Sequence, residues 1–259
     1  MTQKLLLYLA IAAVAILFIA PGLVRTWLRK LGAAMGLVGR AGQELLSGEA
    51  VAGSPLAHYE TQAGQAAEEK LLATHPLSSD AALQAQVSRV GAALALHTRR
   101  REIPFRFRVI EAAEPRAYSL PGGAVFLSSG LARFCAIDDQ QLAAILAHEV
   151  VHIDRRHTVR HLAQSAAARA GFSLVRLGRF NPLGRLVGAV ESRLDQTRYS
   201  DEEEREADLL AVLLLRESGF DPNAFQHVLR RLADAQWDAA PYFRAHPPIV
   251  ERLRKLATH

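Results

Sequence analysis

Apolar residues recur at steps of three and four through most of this chain, and at steps of two in one short stretch. The helical spacing predicts helices over residues 56–74 and 79–97. Phe105, Phe107 and Val109 alternate with Arg106 and Arg108, the pattern of a half-buried strand. Leu142, Leu146, Val150 and Ile153 form a buried stripe on a helix that Asp138 or Asp139 can cap. Another helix is expected to start at Ser200, because Glu203 three residues on completes a capping box. It runs through the apolar stretch Leu209 to Leu215, with Gly219 placed to end it and Asp221-Pro222 to cap the next one. These elements make a mainly α chain with a small β-sheet, an α+β fold.

The N-terminus departs from this alternation. From Leu5 to Val24 no residue is charged, and twenty such residues cross a hydrocarbon layer of ~30 Å. Lys4 precedes the run, Arg25, Arg29 and Lys30 follow it, and Trp27 sits at interface depth. A cleavable signal is the rival reading, but Pro21 directly after Ala20 makes a poor cleavage site. The expected organisation is a transmembrane anchor over 1–24 and a juxtamembrane amphipathic helix and linker over 25–54, carrying Leu28, Leu31, Met35 and Val38. Residues 55–259 then suffice for one compact domain. Residues 171–190 are apolar but hold Arg176, Arg179 and Arg185, too charged for a second span.

Composition adds two exclusions. The formal net charge is +5, yet the basic residues are scattered and aromatics make up only 7%, so no nucleic-acid partner is expected. The single cysteine, Cys135, rules out an internal disulfide.

Candidate chemistry lies on the capped helix, in His148-Glu149-Val150-Val151-His152. Four helical steps return to within ~40° of the start, so both imidazoles share a face and can grip one ion. That is the arrangement of a zinc peptidase, with Glu149 placed to take a proton from water at the metal. A third ligand is still needed. Glu204 and Asp208, one turn apart on the later helix, are both candidates. An acidic first turn explains Asp201 to Glu203 as a dipole effect, but not Asp208, which adjoins the apolar run. His157 and His161 lie five and nine residues past His152, and 140° of rotation keeps His157 from joining the same ion. Both read as structural or surface residues.

Four segments in order resemble the zinc metallopeptidases that include CAAX prenyl proteases, HtpX-like membrane proteases and periplasmic quality-control proteases. They are Ala117 to Phe134, Leu142 to His157, the Glu204/Asp208 pair with the Gly-Phe-Asp-Pro turn after it, and His246-Pro-Pro with Arg252. Asp201 departs from the pattern, where many members carry Arg. The resemblance implies a zincin-like domain in which His148, His152 and Glu204 bind one Zn2+ per chain, with Glu149 as general base. Asp208 would orient a ligand imidazole, and His246 and Arg252 would lie near the metal and stabilise an oxyanion. Gly123, Ala124 and Val125 would belong to an edge strand that takes a polypeptide substrate in extended form.

The expected function is therefore a membrane-anchored zinc endopeptidase acting on unfolded or misassembled proteins. The alternative is a chaperone or assembly factor with a latent or weak protease site, His246 or a nearby loop filling the fourth metal position. The membrane-side indications conflict. Basic residues after the span favour a cytoplasmic domain, whereas the resemblance to single-anchor relatives favours the periplasm, which is the expectation adopted. Only one span is evident, which argues against prenyl-protein processing.

Overall fold

The computed structural model describes residues 55–160, 199–236 and 246–257. The expected span at 5–24, the amphipathic stretch at 25–50, residues 171–190 and His161 lie outside the described residues. Among the described residues, no helix is long and apolar enough to cross a membrane.

Two helices come first, α1 (Pro55–Thr74) and α2 (Ala81–Ala95), followed by strands β1 (Arg106–Ile110), β2 (Ala117–Leu120) and β3 (Ala124–Ser128). Five more helices follow: α3 (Ser129–Cys135), α4 (Asp139–Asp154), α5 (Asp201–Glu217), α6 (Ala224–Asp234) and α7 (Ile249–Leu256). The described residues are thus mainly helical with one three-stranded sheet, as the α+β reading requires.

Local signals account for the boundaries of the two helices that matter most. The Asp138 carboxylate accepts from the Gln140 N–H and opens α4. Ser200 and Glu203 exchange both bonds of a capping box at the start of α5. At its other end Gly219 takes φ 78°, the Phe220 N–H bonds the Leu215 carbonyl, and the Gly219 N–H bonds that of Arg216. The Asp221-Pro222 cap is displaced: α6 opens after Asn223, and Asp221 spends its carboxylate on the Asn223 N–H at 2.9 Å.

The strand order is β1-β3-β2, with β1 parallel and β2 antiparallel to β3. Leu120-Pro121-Gly122-Gly123 makes the β2–β3 turn, with Pro after the first residue and Gly122 at φ 77°, as a type II turn demands. This order corrects one expectation. Gly123, Ala124 and Val125 do not form an edge; β3 is central and buried along its length, and the Gly123 carbonyl accepts from the Arg106 N–H. The outer side of β1 is also closed, because the Gln84 side chain bonds both the N–H and the carbonyl of Val109. Ser78 adds a backbone bond to the same carbonyl.

Alternation along β3 separates two hydrophobic layers. Ala124 and Phe126 face Ala63, Ala67 and Leu71 of α1, while Val125 and Leu127 face the main core around α2 and α4. Every residue of α4 from Leu142 to Ile153 is buried, so the polar groups among them are held in apolar surroundings. At Gly64 an added Cβ would lie 1.8 Å from the Pro121 carbonyl oxygen, which is how closely α1 docks on the β2–β3 turn.

Helix α1 also carries charge inward. Glu60 is 1% exposed and meets the Arg100 guanidinium with both oxygens, at 2.7 and 2.8 Å, and Arg156 Nε at 3.3 Å. Arg100 reaches the Ile153 carbonyl at 3.3 Å, and its backbone N–H donates to Asp154 at 2.9 Å. Glu60 thereby fastens α1 to the C-terminal end of α4. On the outer face Glu68 clasps Arg106 and Arg108, each at 2.9 Å.

Cys135 is fully buried, and desolvation pushes its thiol up to about 12. Iodoacetamide at pH 8 should therefore label the native chain negligibly and the denatured chain fully, because only the thiolate reacts. Rapid labelling before unfolding, followed by mass spectrometry, would contradict this packing.

Candidate metal centre

Helix α4 presents His148 and His152 one turn apart, and their Nε2 atoms face each other at 3.1 Å. Helix α5 crosses α4 and brings in Glu204, whose oxygens lie 3.7 Å from His148 Nε2 and 3.6 Å from His152 Nε2. His246, just before α7, closes the group with Nδ1 at 2.7 Å from Glu204 Oε2. All four residues are buried, and one ligand atom from each lies within 4.8 Å of all the others. Residues 148, 152, 204 and 246, remote in the chain, therefore converge.

The donor set fits a metal ion. A tetrahedral ion with ligands at ~2.0–2.2 Å separates them by about 3.3–3.6 Å, close to the 3.1, 3.7 and 3.6 Å found among His148, His152 and Glu204, while His246 stands at hydrogen-bond distance from Glu204. Glu204 Oε1 is buried with no hydrogen-bond partner among the described residues, a costly state that coordination would relieve. Burial, opposed by His148 and Arg252, raises the Glu204 carboxyl to about 7. Burial also lowers His152 well below its ordinary range, helped by the neighbouring rings of His148, His157 and His246. His246 falls to about 4 through burial and then the Arg252 charge. Neutral rings keep the lone pairs that a cation needs.

Behind His148 stands a second carboxylate. Its Nδ1 is 3.0 Å from Asp208 Oδ1, and Asp208 receives Arg252 through Nε at 3.0 Å and NH2 at 2.6 Å. Burial alone would raise the Asp208 carboxyl, but the Arg252 charge and the His148 bond hold it below the usual carboxylate range. Arg252 NH2 also stands 3.4 Å from His148 Nδ1. Its guanidinium lies on the Nδ1 side of His148, because a buried arginine is drawn to its carboxylate partner. Through Asp208, Arg252 braces the His148 ring.

Glu149, 2% exposed, carries its charge close enough to act on both His246 and Tyr199. Tyr199 stacks on the His152 ring with centroids 3.8 Å apart, and its hydroxyl bonds Thr158 at 2.8 Å and Ser119 at 3.3 Å. Burial and then the Glu149 charge raise that hydroxyl above its ordinary range, so it stays protonated.

The model of peptidase family M48 matches residues 78–259, which takes in every residue of this cluster. The chain belongs to peptidase family M48. It is 29% identical over 215 residues to the beta-barrel assembly-enhancing protease of Escherichia coli K12, covering 78% of this chain and 44% of that protein. Identity is 30% over 219 residues to the putative beta-barrel assembly-enhancing protease of Vibrio cholerae, with the same two coverages, 78% and 44%. It is 31% over 163 residues to the mitochondrial metalloendopeptidase OMA1 of Schizosaccharomyces pombe, covering 60% of this chain and 46% of the relative. The matched part is thus less than half the length of each of these relatives.

Several residues of this M48 site escaped the sequence reading. Tyr199 precedes a cap and breaks no periodicity, so nothing marked it. Of the two readings offered for His157, structural or surface, the first holds: it is fully buried, with Nδ1 3.0 Å from His152 Nδ1. It stays outside the ligand cluster, as the helical rotation required, but α4 ends at Asp154 and Arg156 takes φ 57°, which turns the chain back beneath His152.

Proposed function

We propose that this M48 metallopeptidase is a zinc-dependent endopeptidase that cuts unfolded or misassembled polypeptides beside a membrane. The observation that carries the reading is the meeting of His148 and His152 with a buried Glu204 oxygen that has no other partner among the described residues. His148, His152 and Glu204 would hold the zinc, which supplies Lewis acidity for both water and the substrate carbonyl. Glu149, adjacent to the ligands but outside their cluster, takes the proton from the attacking water and returns it to the leaving amine. Asp208, tied to Arg252, keeps the proton of His148 on Nδ1 so that Nε2 is free to coordinate.

Substrate enters along β2. The Ser128 N–H bonds the Arg116 carbonyl, so by the alternation of an antiparallel ladder Arg116, Tyr118 and Leu120 turn toward β3 while Ala117 and Ser119 turn outward. An extended polypeptide adding to that outer side exchanges main-chain bonds with little regard for sequence. The Ser119 carbonyl now accepts from Thr158 at 3.3 Å, and substrate replaces that bond. The uncharged run from Leu5 to Val24 anchors the enzyme, with the catalytic domain in the periplasm. The Escherichia coli relative, a protease named for enhancing beta-barrel assembly, supports a role in protein quality control.

Metal analysis of the purified chain tests the site. Wild type should carry about one zinc per chain, and His148→Ala or Glu204→Gln should lose most of it together with cleavage of an unfolded protein. Unchanged zinc in both variants would refute the assignment.

His246 favours a second reading, because a fourth ring already stands in the ligand cluster. An enzyme so closed is latent and can serve as an assembly factor until His246 is displaced. His246→Ala should then release activity from a silent wild type; simple loss of activity would make His246 a participant in the reaction.

A further inference from the structure

Each ligand imidazole needs its second nitrogen held, and among the described residues His148 alone of the two α4 rings has a carboxylate for this, Asp208. On the other ring, His152 Nδ1 lies 3.0 Å from His157 Nδ1, and His157 Nε2 lies 3.3 Å from Glu206 Oε2. Arg155 Nε fixes that glutamate at 2.7 Å. The His157 ring is completely shielded from solvent, although Glu206 is about one-third exposed.

The protons in this row have one consistent arrangement. If His152 coordinates through Nε2, its proton resides on Nδ1. That N–H faces His157 Nδ1, which must then be the acceptor. The His157 proton is therefore on Nε2, where the Glu206 carboxylate receives it. From this geometry we infer that His157 is a positioning residue that locks His152 in its ligating tautomer, with Glu206 and Arg155 locking His157 in turn. His157 thus does for the second ligand what Asp208 does for the first. The inference rests on the zinc reading above and extends it to residues that touch neither metal nor substrate.

Two substitutions of the full-length chain separate positioning from simple packing. His157→Asn keeps a side-chain oxygen where Nδ1 stands, whereas His157→Leu fills the buried space without an acceptor. Zinc affinity is measured by competition with a chromogenic chelator, and the melting midpoint of each metal-free protein is recorded alongside. His157→Leu should bind zinc about 10- to 100-fold more weakly, the loss typical when a ligand's outer partner is removed. His157→Asn should stay within about threefold of wild type, by the same principle. A packing role predicts the reverse order, since leucine suits an apolar cavity better than asparagine.

Equal zinc affinity in all three proteins, or a loss as large with asparagine as with leucine, overturns the inference alone. A wild type that holds no zinc overturns the metal reading together with it. Should a variant fail to fold, ring-nitrogen NMR of the zinc-loaded wild type decides the matter. Protons on His152 Nδ1 and His157 Nε2 support the inference, and any other placement refutes it.

Discussion

Glu149→Gln should remove nearly all peptide cleavage while leaving zinc at about one per chain. The change is almost isosteric and keeps the buried environment, but it replaces a proton acceptor with an amide that cannot serve as one. General acid–base groups contribute about 10²- to 10⁴-fold to rate, so kcat should fall by roughly that factor with little change in KM. Glu149 stands outside the cluster formed by His148, His152, Glu204 and His246, so metal binding has no reason to suffer. The measurement is digestion of a reduced, unfolded protein together with elemental analysis of the same preparation. Wild-type turnover in the variant would remove Glu149 from the chemistry, and loss of zinc would make it a ligand. A chaperone whose work is strand binding would retain its function unchanged.

The largest effect on stability is expected at Glu60. Its carboxylate is the shared partner of Arg100 and Arg156, and the whole group is shielded from water. Removing one side of a buried ion pair costs about 3–5 kcal/mol when the charge left behind is neither hydrated nor compensated, and the Glu102 carboxylate that stays 3.0 Å from Arg100 Nε moderates the loss. Glu60→Leu should therefore lower the melting midpoint by roughly 6–20 °C, at about 2–4 °C per kcal/mol for a domain of this size. Glu60→Gln keeps an acceptor oxygen and should fall between. The effect should reach the catalytic helix, since Arg100 also holds the Ile153 carbonyl and is held by Asp154. Thermal unfolding of the metal-free chain is the check, and an unchanged midpoint in Glu60→Leu would show that this network is not stabilising.

What could be read from the sequence was what is local. His148 and His152 follow from helical periodicity, and the caps at Asp138 and Ser200 follow from side chains within three residues. Glu204 and Asp208 could be narrowed to a pair, because a carboxylate beside an apolar run needs a partner. The position of β3 could not be read in this way. Its turn is spelled out by Pro121-Gly122, but its parallel partner β1 is brought alongside only by tertiary packing, and that contact makes β3 central. The Glu60–Arg100–Arg156 group was equally invisible, since three charged residues so far apart leave no periodic trace. His157 was rightly kept from the ligand set, but its contact with His152 could not be read, because the left-handed turn at Arg156 carries no glycine to announce it.

The family match begins at residue 78, whereas α1 lies wholly upstream of it. A fragment excised at that frontier would take the Glu60 carboxylate away from Arg100 and Arg156 and bare the sheet face now covered by Ala63, Ala67 and Leu71. Any shortened version prepared for biochemistry therefore has to keep the helix that carries Glu60.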